Sequence, residues 1–167
     1  MKVLVTYFTQ TGNTEKVARA VFNAIDVEKE ILPLDEVKTV QGYDIVFVGF
    51  PVISHSLPLT VPPKVQPFIK NLPAEQKVAF FSTHGSLRVG QLPIQAVEDA
   101  LGLAAGKKVL GHFLCRGRVN PRIIDALMKQ PQNRAWTEEA RTADGHPDAA
   151  DLKDAGAFAE AMIAKAR

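Results

Sequence analysis

Thr9-Gln10-Thr11-Gly12-Asn13-Thr14 is the stretch of this chain that decides its fold. It follows the apolar run Val3–Phe8, and a helical pattern begins at Glu15, so a strand enters a helix through six uncharged residues. A helix N-terminus presents unpaired N–H groups and the positive end of the helix dipole. Hydroxyl and amide donors around a glycine therefore predict a phosphate-binding loop. The simpler alternative is a polar turn in which a Thr or Asn side chain only caps the helix.

Length and composition predict one ordinary globular domain covering residues 1–167. The chain is 46% hydrophobic and 23% charged, and no apolar run is long enough to cross a membrane. The N-terminus lacks the cleavage region of a signal peptide, so we expect a cytoplasmic protein. A net charge of +2 is too small to indicate a nucleic-acid partner.

Strand-like and helix-like segments alternate along the whole chain. The predicted strands are Val3–Phe8, Val27–Leu34, Ile45–Gly49, Val78–Ser82 and Lys108–Leu114. The main predicted helices are Glu15–Ile25, Lys64–Leu72, Leu92–Leu103, Pro121–Met128 and Asp148–Ala166, with irregular chain at Phe50–Pro63 and Pro131–Pro147. Such alternation predicts an α/β fold, a three-layer α/β/α sandwich around a five-stranded parallel sheet of order 2-1-3-4-5.

Three loops then lie at the carboxyl ends of neighbouring strands. They are Thr9–Thr14 after the first strand, Phe50–Pro58 after the third and Thr83–Gly90 after the fourth. Ligands of open parallel sheets bind at this edge, so we expect the three loops to form one site.

The same loops carry a resemblance to the flavodoxin family. The residues that show the resemblance are Thr9-x-Thr11-Gly12-Asn13-Thr14, Gly49-Phe50-Pro51 and Thr83-His84-Gly85. The resemblance covers essentially the whole chain. Two later runs resemble a subgroup of flavodoxin-like proteins rather than the best-studied electron carriers. They are Phe113-x-Cys115-x-Gly117-x-Val119 and His146-Pro147-Asp148-x-x-Asp151-Leu152.

The resemblance implies non-covalent FMN as the cofactor. The phosphate would be held by Thr9, Gln10, Thr11, Gly12, Asn13 and Thr14. The flavin ring would lie between Pro51, Val52, Ile53, Ser54 and His55 on one side and Thr83, His84, Gly85 and Arg88 on the other. The protein would tune the flavin by stacking, hydrogen bonds and nearby charge.

Two features depart from the familiar members of the family. The loops after the third and fourth strands, here called the ring loops, contain no Trp or Tyr. A flavin would therefore be stacked by His, Leu or Ile, or covered by the segment that bears Trp136. The alternative for Trp136 is that it anchors its own loop. The chain is also not acidic. His55, His84, Arg88, Arg116 and Arg118 all follow strands at the predicted flavin end, where the alternative is scattered surface charge.

Cationic surroundings favour the negative charge that full reduction adds to FMN. We therefore expect a less negative potential for the final reduction step than in an acidic flavodoxin. The same patch would attract an acidic partner protein or an anionic substrate.

Other chemistry has little support in the sequence. The four histidines have no metal-ligand spacing, so we expect no metal site, and we interpret His112 as a sheet or core residue. Cys115 is interpreted as a buried thiol. No nucleophile elbow is present, and no lysine follows Gly12 as in a nucleotide-hydrolysing loop.

The favoured hypothesis is an FMN-binding electron-transfer protein that shuttles electrons between a reductase and an acceptor, with no catalytic residues of its own. The first alternative is an FMN-dependent oxidoreductase that uses NAD(P)H to reduce a quinone or another small molecule. The second is an accessory binding subunit that has lost flavin.

Overall fold

The computed structural model describes residues 1–53, 59–87 and 90–167. The strands are β1 Lys2–Tyr7, β2 Glu28–Pro33, β3 Ile45–Pro51, β4 Lys77–His84 and β5 Lys108–Arg116. The α-helices are α1 Asn13–Ala24, α2 Gln66–Lys70, α3 Gln91–Leu103, α4 Pro121–Met128, α5 Arg134–Arg141 and α6 Ala149–Ala166. Short 3-10 turns lie at Leu34–Glu36 and Pro131–Asn133.

All five strands pair in parallel in the order β2-β1-β3-β4-β5. The predicted fold class and strand order are therefore confirmed. The interior strands β1, β3 and β4 are almost wholly buried, because helices cover both faces of the sheet.

Two apolar clusters fill the space between the sheet and its helices. One cluster packs α1 and α6 against one face, with Val17, Val21 and Ile163 among its members. The other packs α2 and α3 against the opposite face, around residues such as Phe50 and Phe80. The carboxyl ends of the strands are left at one edge, where the loops emerge.

Three strands extend further than predicted. β3 includes Pro51, β4 includes Thr83 and His84, and β5 includes Arg116. Parallel pairing sets Pro51 beside Thr83 and His84 beside Arg116. Polar residues at the end of a strand still form the backbone hydrogen bonds of the sheet. Composition alone therefore predicts strand ends that come too early in the sequence.

The interval between Pro131 and Pro147 was wrongly predicted as irregular. It contains a 3-10 turn and the helix α5, which buries Thr137 and Ala140 on one side. Pro131 stands ahead of the helix and does not interrupt it. The charged residues between the buried positions hide this pattern in the sequence.

The face that α3 buries does not include all of its large apolar residues. Ile94 and Leu101 are 51% and 46% exposed, while Leu92, Ala96 and Ala100 are buried. Apolar residues occur on most sides of this helix, so periodicity does not select one face. Among the residues that the structure describes, no helix is both long enough and apolar enough to span a lipid bilayer.

Candidate functional site

The loop between β1 and α1 is shaped by Gly12. Its φ is 87° and its ψ is −8°, the left-handed conformation that glycine adopts without steric cost. The Gly12 N–H donates to Thr9 Oγ1 at 3.0 Å, and the Gly12 carbonyl accepts the first helical bond from Lys16 N at 3.1 Å. The backbone is thus turned sharply into the helix.

Among the residues that the structure describes, no side chain caps the N-terminus of α1. Two polar side chains of the first turn instead connect α1 to other elements: Asn13 Nδ2 donates to the Arg118 carbonyl at 2.9 Å, and Thr14 Oγ1 lies 2.9 Å from Thr83 Oγ1. The simple capping alternative is therefore wrong. Within residues 1–53, 59–87 and 90–167, no side chain accepts from the N–H groups of the first turn, which is the arrangement that receives a phosphate.

The predicted phosphate residues differ in how they contribute. Gln10 and Thr11 are exposed, Thr9, Gly12 and Asn13 are half-buried, and Thr14 is buried. The Thr14 hydroxyl joins α1 to β4, so its backbone N–H is the group it offers to a ligand. A Cβ built on Gly12 would meet no atom within 4 Å, so the loop is open above its glycine.

The chain after β3 is held at both ends. Val52 N donates to the Thr83 carbonyl at 2.8 Å, and Ile53 N donates to the Thr60 carbonyl at 2.9 Å. Thr60 in turn donates from its N and Oγ1 to Asp99 Oδ2, at 2.7 and 2.6 Å. The predicted site residues Ser54 and His55 lie outside the described residues, as does Arg88.

The chain after β4 turns tightly back on itself. His84 is 4% exposed, and its Nδ1 lies 2.8 Å from the Ser86 carbonyl oxygen. Gly85 is required here, because a Cβ at this position would lie 2.4 Å from the Val119 side chain. The sheet therefore brings the ends of β1, β3 and β4 together as predicted.

Helix α5 contacts this same turn, which the sequence did not indicate. Trp136 Nε1 donates to Ser86 Oγ at 3.1 Å, and Leu87 N donates to Glu139 Oε1 at 2.5 Å. These partners lie 50 and 52 residues apart in the chain. Glu139 therefore supports the turn after β4, and no local motif could reveal this contact.

Arg116 joins the turn after β4 to the end of α5. Its Nη2 donates to the carbonyls of Gly85 and Glu139 at 3.4 and 3.3 Å, and to Thr142 Oγ1 at 2.7 Å. Arg118, the other predicted cation of this region, pairs with Asp144 at 2.9 Å. Both guanidinium groups thus have structural partners at the edge where they were predicted to gather.

A cleft of about 590 Å³ opens beside the predicted phosphate loop. Thr11, Asn13 and Lys16 line it together with Arg118 and His146. Asp144 also lines it, so acidic and basic groups are mixed there.

His112 is a structural residue, as predicted. Its Nε2 lies 2.8 Å from Ser82 Oγ, and its ring packs against Phe50 and Phe80. Burial lowers the pKa of His112 to about 3, and the nearby His84 adds to the effect. Cys115 is fully buried, in agreement with the prediction.

His146, Asp148 and Asp151 bring three potential metal-ligand atoms within 4.8 Å of one another. Asp148 and Asp151 form a reciprocal capping box at the start of α6, and His146 Nδ1 lies 2.5 Å from Asp151 Oδ2. The cluster therefore has a structural explanation as a helix cap.

A sequence model of the flavodoxin domain matches residues 4–160. The chain belongs to the flavodoxin family. This flavodoxin is 28% identical over 178 residues to the flavodoxin-like domain-containing protein BilS of Clostridioides difficile strain CD3, covering 99% of the chain and 98% of BilS.

Solved structures share the fold of this flavodoxin. The flavodoxin of Streptococcus pneumonia TIGR4 superposes with a TM-score of 0.66 at 14% identity, covering 99% of each chain. A flavoprotein of Lactobacillus acidophilus NCFM, solved in complex with FMN, superposes with a TM-score of 0.53 at 20% identity, covering 68% of this chain and 92% of that one.

Proposed function

We propose that this flavodoxin binds FMN without a covalent bond and carries electrons between a reductase and an acceptor protein in the cytoplasm. The observation that carries the proposal is that, among the described residues, no side chain caps the start of α1 behind the left-handed Gly12. A phosphate dianion completes the hydrogen bonding of that helix end. The FMN complex of the Lactobacillus acidophilus flavoprotein supports FMN as the phosphate-bearing group.

The residues of the loop fit a phosphate held by neutral donors. The backbone N–H groups of Asn13 and Thr14 and the exposed Thr11 would bind the phosphate oxygens. The helix dipole supplies the positive potential, so no charged residue is needed within the loop. When bound, FMN supplies the one- and two-electron chemistry, and the protein sets its surroundings.

The ends of β3 and β4 would hold the flavin ring. Pro51 and Thr83 are neighbours in the sheet, and Val52 N donates to the Thr83 carbonyl, so the two walls are fixed relative to each other. His84 and Arg116 make their hydrogen bonds within the protein. Their structural engagement favours a role in orienting the cofactor over acid–base chemistry on a substrate.

The test is the visible spectrum of the purified protein, reconstituted with FMN and reduced in steps. We expect tight binding of one FMN and slow reduction by NADPH alone in a stopped-flow measurement, with fast reduction by a reductase. Fast reduction by NADPH alone would select the oxidoreductase alternative. A protein that takes up no FMN would select the accessory subunit that has lost flavin.

The stepwise reduction also gives the reduction potentials of the flavin, and the rate of association with the reductase tests the charge of the partner. Arg116 lies beside His84 at the predicted ring end, so the expectation of a less negative final reduction step is retained. A strongly negative final step would contradict it. An association rate with the reductase that falls as salt is added would support an acidic partner.

A further inference from the structure

The only tryptophan of the chain lies against the turn after β4. Trp136 belongs to α5, and its indole N–H donates to Ser86 Oγ at 3.1 Å. Ser86 follows Thr83, His84 and Gly85, the residues that the flavodoxin resemblance places beside the flavin ring. An aromatic side chain from a distant segment therefore lies beside the turn after β4.

After the last residues of β3 and β4, the described parts of the two ring loops contain no aromatic side chain. Val52 and Ile53 follow β3, and Gly85, Ser86 and Leu87 follow β4. The two tyrosines are elsewhere: Tyr7 is 8% exposed within β1, and Tyr43 contacts Lys2 near the opposite end of the sheet.

The hydrogen bond of Trp136 fixes the indole by its edge. An N–H bond lies in the plane of the ring, so it leaves the two faces for packing. The side chain is half-buried, so part of its surface is still open to solvent. The indole of Trp136 can therefore stack on a flat ring such as a flavin and keep its hydrogen bond to Ser86.

The position of α5 is fixed independently of the indole. Glu139, one turn along from Trp136, accepts from Leu87 N at 2.5 Å, and Arg116 joins the Gly85 and Glu139 carbonyls. Ala140 and Val119 close on Gly85 from the same side. The indole is therefore held in place before any ligand arrives, which lowers the ordering cost of a stacking contact.

We propose that Trp136 supplies the aromatic surface that contacts the flavin ring of bound FMN, with Ser86 orienting the indole. The inference rests on the proposed function, because it requires FMN at the edge of the sheet. It assigns to helix α5 a direct part in the cofactor site, in place of an aromatic residue in the loops themselves.

The experiment measures the fluorescence of bound flavin in the full-length protein. An indole in contact with excited flavin donates an electron and quenches its emission, whereas a phenyl ring is too hard to oxidise to do so. We expect weak emission from FMN bound to the wild-type protein and a several-fold brighter emission from FMN bound to W136F. W136L, which has no ring, is expected to bind FMN about tenfold more weakly.

S86A is the matched control, because it keeps the indole and removes only its hydrogen-bond acceptor. We expect S86A to bind FMN and to show emission between those of the wild type and W136F. Thermal unfolding of each apoprotein reports whether the variant folds.

Two results would overturn the assignment of Trp136 alone: wild-type bound FMN as bright as free FMN, or W136F as strongly quenched as the wild type. If the wild type changes neither the absorption nor the emission of added FMN, both this inference and the proposed function are overturned.

Discussion

The loop after β1 and the turn after β4 lie at the same edge of the sheet but are built in opposite ways. In the part of the chain that the structure describes, the loop after β1 leaves the first N–H groups of α1 without a side-chain acceptor. In the turn after β4, the Leu87 N–H, the Ser86 hydroxyl and the Gly85 carbonyl all have partners on α5 or β5.

The difference separates a binding surface from a supporting one. Unpaired backbone donors at a helix start are available to an anion, and a short run of sequence is enough to create them. Paired groups fix a loop in position, and their partners come from wherever the fold brings them. We therefore expect changes in the loop after β1 to act on the phosphate, and changes near β4 to act on the ring.

Thr11→Asp is expected to have the largest effect. Thr11 is exposed in the predicted phosphate loop, so a carboxylate there folds normally but repels the phosphate. A unit charge about 4 Å from another is worth about 4 kcal/mol at an effective dielectric constant of about 20, or about a thousandfold in affinity. The dissociation constant for FMN, from a fluorescence titration, measures the loss.

Thr11→Asn is the control for this change, since it has the same shape without the charge. Riboflavin, which lacks the phosphate, is the matched ligand. We expect Thr11→Asp to leave riboflavin binding close to that of Thr11→Asn. Equal FMN affinity in the two variants would show that the phosphate does not sit on this loop.

This contrast also explains how much of the site the sequence could predict. The strand order and the phosphate loop depend on local patterns: alternating apolar segments, and donors around Gly12 directly after a strand. The support of the turn after β4 depends on Trp136 and Glu139, more than 45 residues away from their partners. Their helix was missed because its charged residues hide a buried stripe of two small residues, Thr137 and Ala140.

Asp99→Ala is expected to have the next largest effect. Buried Asp99 receives two hydrogen bonds from Thr60 and holds the chain that returns from the loop after β3. Removing the carboxylate leaves a buried N–H unsatisfied, which costs about 2 kcal/mol in free energy of unfolding. Urea denaturation measures this, with FMN and riboflavin binding weakened together because the ring wall is loosened.

Gln95→Ala is the matched control on the same helix. It removes only the bond from Gln95 Nε2 to Asp99 Oδ1, at 3.0 Å, and keeps both bonds from Thr60. A loss of no more than about 0.5 kcal/mol is expected. If the two variants unfold at the same urea concentration, the anchoring role of Asp99 is refuted.

Glu139→Ala tests the support of the turn after β4 directly. It removes the acceptor of the Leu87 N–H. A lost hydrogen bond to a charged group in this exposed setting is worth about 1.4 kcal/mol, so we expect affinities for FMN and riboflavin to fall equally, by about tenfold. Glu138→Ala, an exposed neighbour on the same helix, serves as the control. A loss confined to FMN would place Glu139 near the phosphate instead.

At neutral pH His112 gives the smallest expected effect, because its contribution to the free energy of unfolding changes only as the pH falls below its ordinary pKa. The unfolded chain protonates this histidine near its ordinary pKa of 6.5, whereas burial in the folded protein lowers the pKa to about 3. Between these values unfolding takes up a proton, so the free energy of unfolding decreases as the pH falls through that window. Urea denaturation at several pH values measures the slope.

His112→Gln isolates the contribution of the histidine, because the amide of glutamine can still bond Ser82 Oγ but does not titrate in this range. Carboxylates elsewhere in the protein add the same slope to both curves, and it cancels in their difference. We expect the variant to lose less stability than the wild type between neutral and acid pH. Parallel curves would mean that folded His112 takes up its proton as readily as in the unfolded chain, and that the sheet beneath the ring site is more open to water than its packing implies.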